Sequence, residues 1–193
     1  MPHLPSLPEN AHLSDLFRRH PKGVEPLMRY TDDVLRGPGA LSVADRELIA
    51  TYVSGLNACK FCFDSHLVYA ELFGIEPGLV KTLLDDPDRA LVSASMRALL
   101  AYVKKLNTLP SRIVAADAKA VIDAGNSEDA LFEAVQVASL FNMMNRMIEG
   151  TGVNFDYHAA PEAHPAHQST PDAHTSSYAA FGRKLAAQTE KET

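Results

Sequence analysis

The segment from Glu128 to Glu149 constrains the fold most strongly, because it is apolar on nearly every side of a helix. A helix of this kind belongs in the centre of a helical bundle or at a subunit interface. Polar residues interrupt the segment often enough to argue against a membrane span. They are Glu133, Gln136, Asn142, Asn145 and Arg146. Ser127 is the predicted N-cap, and Gly150 marks the predicted end.

Helical periodicity and helix punctuation recur along the rest of the chain. Further helices are predicted at about 14–20, 23–35, 42–56, 59–73, 77–84, 92–106 and 113–124. Ser14 and Ser42 are predicted N-caps, and Asp45 is placed to support the first turn after Ser42. No stretch of any length has the two-residue period of a strand. The sequence therefore predicts an all-α fold, organised as a helical bundle.

Composition narrows the class of protein and its partners. A chain of 193 residues, 46% of them hydrophobic, is expected to form one domain with a substantial core. The net charge of −6 and the absence of a basic stripe argue against a nucleic-acid partner. The first residues contain no basic region followed by an apolar run, so we expect no secretory signal and a cytoplasmic location. A cysteine pair in that reducing compartment is more often catalytic than structural.

The two cysteines, Cys59 and Cys62, begin the predicted helix at 59–73 and point to redox chemistry. Positions 59, 62, 63 and 66 share one helix face, so both sulfurs and the His66 imidazole converge. The free amides of the first turn favour a thiolate, which predicts a depressed pKa for Cys62. Glu47, twelve residues before Cys59, is placed to orient His66 or accept its proton. Cys59 is expected to be the more exposed thiol, and the pair to form a reversible disulfide.

Other interpretations of the cysteine pair fit less well. Haem attachment needs a histidine directly after the second cysteine, where this chain has Phe63. Structural zinc normally takes four ligands, and Cys59, Cys62 and His66 supply three. Two buried thiols that merely pack remain an alternative. No metal and no cofactor are therefore expected, and a thioredoxin fold is excluded by the missing strands.

Two further features invite structural interpretations. Asn142, Asn145 and Arg146 share a face of the last long helix, and we predict that Arg146 is buried as an interhelical clamp, paired with Asp45 or Glu47. The segment after position 155 is rich in histidine and proline. Its histidines are His158, His164, His167 and His174. We interpret it as a solvated or subunit-wrapping tail rather than a metal site, with a short helix from about position 176.

The chain resembles the alkyl hydroperoxidase D (AhpD)-like branch of the carboxymuconolactone decarboxylase superfamily, and more narrowly its peroxidase-related members. The resemblance depends on the spacing of Glu47, the cysteine pair and His66, and on the late-helix ending Asn142-Met143-Met144-Asn145-Arg146. It covers about residues 20–155. The domain organisation expected from it is an N-terminal arm with a short helix at 1–20, an AhpD-like helical domain at 21–155 and a tail at 156–193.

The resemblance implies an all-helical fold with the cysteine pair at the N-terminus of a central helix, assembled as trimers or hexamers. It implies thiol-dependent reduction of a small-molecule peroxide, with Cys62 as the nucleophile and Cys59 as the resolving thiol. His66 and Glu47 would relay the proton, and an external dithiol or thiol protein would reduce the disulfide. Some members have a histidine between the cysteines, where this chain has Lys60 and Phe61. The decarboxylase members generally lack the pair, which argues against lactone decarboxylation.

Two other classes of function stay open on the sequence. The same disulfide is suited to a redox sensor, or to a protein that reduces the disulfides of a partner without strong peroxidase turnover. A non-redox enzyme or a scaffold on the same helical fold is the third possibility, because a fold does not fix a function. No nucleic-acid or membrane partner is expected.

Overall fold

The computed structural model describes residues 1–167 and 177–189, and this part of the chain contains helices and no strand. The all-α prediction is confirmed. The helices are α1 (Leu13–Arg19), α2 (Val24–Arg36), α3 (Val43–Leu56), α4 (Lys60–Leu72), α5 (Leu79–Asp85), α6 (Ala94–Asn107), α7 (Ala115–Asp123), α8 (Glu128–Thr151) and α9 (Tyr178–Thr189). Short 3-10 turns lie at Pro87–Arg89, Pro161–Ala163 and Pro165–His167.

Helix α8 is the centre of the bundle, as its apolar composition predicts. It packs against α2, α3, α4, α6 and α7, and Val137, Leu140 and Phe141 are among its buried side chains. Two large apolar side chains on its outer face, Phe132 and Met143, stay exposed. No helix in the described part of the chain is long and apolar enough to cross a membrane.

Helices α3 and α4 pack closely together and form the part of the core that bears the cysteines. Ser42 caps α3 as predicted, since its hydroxyl accepts a hydrogen bond from the Asp45 amide at 3.1 Å. A tight turn joins the two helices, with Ala58 in the left-handed region at φ 55°. Cys59 is the N-cap of α4, and Cys62 lies in its first turn. The cysteine pair therefore begins a helix inside the bundle.

Both ends of the chain pack onto this core. The predicted cap Ser14 is wrong for α1, because His12 takes the N-cap position and its Nδ1 accepts the Ser14 amide at 3.0 Å. The Asn154 side chain accepts a hydrogen bond from the Ala11 amide at 2.9 Å, which ties the N-terminal arm to the segment after α8. Helix α9 packs against α1 and α2. The prediction of a solvated tail is wrong for His164, which is fully buried, whereas His158 and His167 are exposed. His174 lies outside the described residues, and the wrapping of a neighbouring subunit stays a prediction.

The buried arginine of the bundle is Arg46 on α3, and the prediction that Arg146 is buried is wrong. Arg46 is 3% exposed and donates to the carbonyl groups of Leu41 and Gly37, both at 2.6 Å. Glu133 of α8 lies 3.6 Å from its Nε. Arg146 is exposed, because its turn of α8 directs Asn145 inward instead. Its predicted partners are otherwise engaged, since Asp45 caps α3 and Glu47 pairs with two other side chains.

We expect Arg46→Ala to lower the free energy of unfolding by about 3–5 kcal/mol, because it removes a buried charge that ties the loop before α3 to α3 and α8. Arg146→Ala is the matched control and should change that free energy by less than about 0.5 kcal/mol, as exposed substitutions usually do. Urea denaturation of the two variants measures both values. Equal losses would contradict the assignment of the clamp to Arg46.

Candidate active site

The two cysteines are free thiols buried under the surface, at 0% exposure for Cys59 and 4% for Cys62. The expectation that Cys59 is the more exposed thiol is wrong. The turn after α3 folds back on itself, and the Cys59 amide donates to the Ser54 carbonyl at 3.0 Å, which draws the N-cap residue into the core. Cys62 borders a cavity instead. A small molecule in that cavity meets Cys62 and not Cys59.

The two thiols titrate as a pair, and the direction of the shifts differs from the prediction for Cys62. Interaction with the Cys62 thiol lowers the pKa of Cys59 in spite of burial. The same interaction and burial raise the pKa of Cys62, while the Asn145 amide acts in the opposite direction and favours a Cys62 thiolate. The pair therefore loses its first proton more readily than an isolated buried thiol would. After that loss one cysteine is a thiolate, and the other keeps its proton and donates a hydrogen bond to it. Transfer of the remaining proton between the sulfurs interchanges the two roles.

A buried carboxylate holds the histidine at the cavity that Cys62 lines. Glu47 is fully buried and accepts a hydrogen bond from His66 Nδ1 at 2.7 Å, which leaves Nε2 as the imidazole atom able to act in the cavity. Arg36 Nη1 lies 2.5 Å from the other Glu47 oxygen, in an ion pair not aligned as a hydrogen bond. Burial opposes ionisation of Glu47, but the charge and hydrogen bond of His66 and the charge of Arg36 outweigh it and lower the pKa of Glu47. The structure thus brings Glu47 and His66 together.

A network of amide side chains fixes the turn that leads into α4. Asn145 is fully buried and accepts from Asn57 Nδ2 at 2.9 Å, while its own amide donates to Ser54 Oγ at 3.2 Å. Asn107 donates to Asn57 Oδ1 at 2.9 Å and accepts from Asn142 Nδ2 at 2.7 Å. Asn142 and Asn145 therefore connect α8 to the turn before Cys59. Asn142, Asn145 and Arg146 were predicted to be structural. The two asparagines bind this turn through the network, and Arg146 is not part of it.

The cavity beside Cys62 has a volume of about 210 Å³ and is mostly apolar. Its walls come from α2, α4 and α8 and from both ends of the chain. Its lining comprises His12, Leu13, Met28, Thr31, Phe61, Cys62, Ser65, His66, Tyr69, Leu140, Phe141, Met144, Tyr157, Pro165, Ser177, Tyr178 and Phe181. A space of this kind suits a small, largely hydrophobic molecule with a polar group directed at Cys62 and His66.

The segment after α8 closes one side of the cavity through hydrogen-bonded aromatic residues. The Tyr157 hydroxyl and His12 Nε2 lie 2.7 Å apart, and burial raises the pKa of Tyr157. His164 is fully buried, and its Nε2 donates to the Ser65 carbonyl of α4 at 2.9 Å while Nδ1 accepts the Ala166 amide at 3.2 Å. Burial lowers the pKa of His164 to about 4. His164 therefore fastens this segment to α4 as a neutral imidazole.

Sequence patterns did not indicate Arg36, Tyr157, His164 or Tyr178 as parts of the site. Arg36 ends α2 at a position usual for a basic residue, and the other three lie beyond the helices with clear periodicity. Proline and histidine in the tail suggested loop structure rather than a cavity wall. Among residues 1–167 and 177–189, no three His, Cys, Asp or Glu side chains are placed to hold a metal ion.

Comparison with known proteins identifies the fold. A sequence model described as the carboxymuconolactone decarboxylase family matches residues 21–105. The chain is similar to an AhpD-core, peroxidase-related protein from Ralstonia eutropha JMP134, with 19% identity, a TM-score of 0.69, and coverage of 75% of this chain and 76% of that one. A peroxidase-related protein from Silicibacter sp. TM1040 has 24% identity and a TM-score of 0.67, with 72% and 73% covered.

A third solved structure has a different described activity. The debrominase Bmp8, in complex with 2,3,4-tribromopyrrole, is 16% identical with a TM-score of 0.64, and 78% of each chain is covered. The search of curated proteins finds no match. The fold and the cysteine pair define an all-helical, AhpD-like protein with a buried dithiol. The chain is therefore similar to the carboxymuconolactone decarboxylase family over residues 21–105, and it has the AhpD-like fold.

We expect acid to weaken the attachment of the His164 segment. The folded-state pKa of about 4 lies below the ordinary value of 6.5, so between these values the unfolded chain binds a proton that the folded chain does not. This contribution to stability is present above pH 6.5 and is lost as the pH falls towards 4, by about 1.4 kcal/mol per pH unit at most.

The measurement is urea denaturation of the wild type and His164→Asn at several pH values across that range. The variant keeps a hydrogen-bond donor but does not titrate, so its stability should depend less steeply on pH. His20→Asn, at an exposed histidine, should keep the wild-type dependence. Parallel curves for the wild type and His164→Asn would show that His164 is not responsible.

Proposed function

We propose that this protein is a thiol-dependent peroxidase that cycles a disulfide between Cys59 and Cys62. The observation that supports it most directly is the common cavity of Cys62 and His66, with His66 oriented by the buried Glu47. A nucleophilic thiol next to an oriented imidazole is the arrangement that cysteine-based catalysis requires. The enzyme acts on a peroxide as the electron acceptor.

The reaction begins with loss of a proton from the cysteine pair to His66, and Glu47 stabilises the imidazolium that results. Cys59 and Cys62 share the remaining proton, so a Cys62 thiolate forms when that proton moves to Cys59. The Cys62 thiolate attacks the terminal oxygen of ROOH, an S–O bond forms, the O–O bond breaks, and ROH leaves with the proton from His66. Cys62 is then a sulfenic acid.

The second half of the cycle regenerates the thiols. The Cys59 thiol attacks the sulfur of the Cys62 sulfenic acid, which gives the disulfide and one water molecule. An external dithiol then reduces this disulfide by thiol–disulfide exchange and becomes a disulfide itself. The cycle needs a reducing compartment such as the cytoplasm to maintain that dithiol.

The burial of both sulfurs favours a small substrate over a protein disulfide. With Cys59 at 0% exposure and Cys62 at 4%, the surface of a partner protein meets neither sulfur directly. The apolar lining of the cavity accommodates the hydrocarbon part of an organic hydroperoxide. A redox sensor or a protein disulfide reductase remains the second candidate, because the same disulfide would serve it. Bmp8 is a debrominase on this fold, so removal of a halogen from a small aromatic molecule is a further activity to assay.

We expect the wild type to reduce cumene hydroperoxide with dithiothreitol and Cys62→Ser to be inactive. Mass spectrometry of the protein after one equivalent of peroxide should show the loss of two hydrogens. Glu47→Gln and His66→Ala should slow turnover by about 10²–10⁴-fold, the usual value of acid–base assistance. Cys59→Ser should be oxidised once and then accumulate the sulfenic acid or its over-oxidised forms.

Glu71→Gln is the control for Glu47→Gln, because Glu71 is an exposed acid on the same helix as His66. Thermal melting of each variant separates loss of activity from loss of fold. A disulfide that forms without peroxide turnover would favour the sensor. Thiols that stay freely alkylatable after peroxide treatment would contradict a redox role of either kind.

We also propose that the chain assembles as a homo-oligomer, a trimer or a hexamer. Phe132 and Met143 lie on one face of α8 and are 60% and 43% exposed in the single chain, and Ile122 of α7 is 42% exposed. Large apolar side chains in this number on adjacent helices are typical of a protein interface.

Light scattering at micromolar concentration should give a mass that is a multiple of 21.0 kDa. Phe132→Ser with Met143→Ser should shift the protein towards the monomer, because it removes the apolar face of α8. Leu91→Ser, at a loop residue that is 94% exposed, should leave the mass unchanged. A wild-type protein that stays at 21.0 kDa would rule out the assembly.

A further inference from the structure

Within the described part of the chain, no Asp, Glu, Lys or Arg lines the cavity beside Cys62. Arg36 and Glu47 are not lining residues, and their charges offset each other in an ion pair. A proton that His66 gains from the cysteine pair leaves a thiolate of equal and opposite charge. A charged molecule that enters this cavity therefore loses its hydration without meeting an opposite charge in exchange.

Two hydroxyl groups of the cavity wall have already given their protons to other groups of the protein. The Thr31 hydroxyl donates to the Leu27 carbonyl at 2.9 Å, and the Ser177 hydroxyl donates to Asp32 Oδ2 at 2.9 Å. Each hydroxyl has one proton, so neither is a donor to a bound anion. The Asp32 carboxylate next to Ser177 adds negative charge behind this wall, which opposes an anion further.

His12 lines the same cavity and is neutral as well as fully hydrogen-bonded. Its Nδ1 accepts the Ser14 amide at 3.0 Å, so Nε2 carries the hydrogen and donates to the Tyr157 hydroxyl at 2.7 Å. Burial lowers the pKa of His12, which favours the uncharged ring. A neutral imidazole with both nitrogens occupied offers an anion neither a charge nor a donor.

We infer that the cavity selects an uncharged organic hydroperoxide and excludes an anionic one of the same size. The identity of the substrate as a hydroperoxide rests on the function proposed above, whereas the selection by charge is a property of the cavity. The hydroperoxyl group is the polar part of such a substrate and meets Cys62 and His66. A carboxylate on its organic group would lie against apolar side chains or against polar groups that are already bonded.

Two alkylating reagents of similar size and opposite character, iodoacetamide and iodoacetate, test the selection without any peroxide. The reduced protein is treated with each reagent at one pH near neutrality, and modification of Cys62 is followed by mass spectrometry. Trypsin cleaves after Lys60, which separates Cys62 from Cys59. The ratio of the two rates is compared with the same ratio in the urea-unfolded protein, which corrects for the intrinsic reactivity of the reagents. Cys62 in the folded protein should disfavour iodoacetate by on the order of 10²-fold beyond that reference.

Leu13→Lys tests the cause of the selection, because Leu13 is a half-buried residue of α1 that lines the cavity. Its ammonium group should raise the relative rate with iodoacetate by about 10-fold. Leu13→Met is the matched control, which keeps the wall apolar and should keep the wild-type ratio. If thermal melting shows that Leu13→Lys does not fold, the wild-type ratio still decides. A wild-type ratio equal to that of the unfolded protein would overturn the inference.

A pair of hydroperoxides connects the selection to turnover. Cumene hydroperoxide with a para-carboxylate should oxidise the cysteine pair on the order of 10²-fold more slowly than the methyl ester of the same compound. Equal rates for the acid and the ester would overturn the inference about the substrate. Discrimination between the alkylating reagents without oxidation by either peroxide would refute the peroxidase proposal and leave the selection by charge in place.

Discussion

The Glu47 carboxylate is the group on which the arrangement of this protein most depends. It lies on α3 at 0% exposure, and it contacts Arg36 at the end of α2 and His66 on α4. A carboxylate at this depth is stable as an anion only because Arg36 offsets its charge and His66 donates a hydrogen bond to it. The interaction that joins three helices is thus the same one that orients the imidazole, and stability and chemistry depend on a single side chain.

The site is organised from this carboxylate outward. His66 is hydrogen-bonded to Glu47 and lines the cavity, and Cys62 lines the same cavity. Cys59 is fully buried and is not among the residues that line the cavity, so a molecule bound there meets Cys62 alone. The amide network around Asn145 holds the turn before the pair, so α8 as well as α4 fixes the position of the cysteines. Access to Cys62 is through the mostly apolar cavity.

Local signals in the sequence predicted most of the fold and the centre of the site. Helix periodicity gave the helices to within a few residues, Ser42 was recognised as a cap, and the spacing from Glu47 to His66 predicted their contact. Arg146 was predicted to be buried, and wrongly, because α8 is apolar on nearly every side and such a helix gives no periodic pattern from which to tell its inner face. Tyr178 was missed for a different reason. It meets α2 and α4 only through tertiary packing, and no periodic pattern relates residues that far apart in sequence.

The cavity walls supplied by the chain ends have a consequence for how this protein can diverge. His12, Tyr157 and Tyr178 lie outside the matched segment 21–105, whereas the cysteines, Glu47 and His66 lie within it. The stretch that holds the dithiol and the stretches that close the cavity are thus separate in the sequence. Changes near either terminus can alter which molecules enter while the dithiol chemistry stays intact. Two relatives with the same cysteine motif are then expected to differ in substrate, and the ends of their chains are the place to look for the reason.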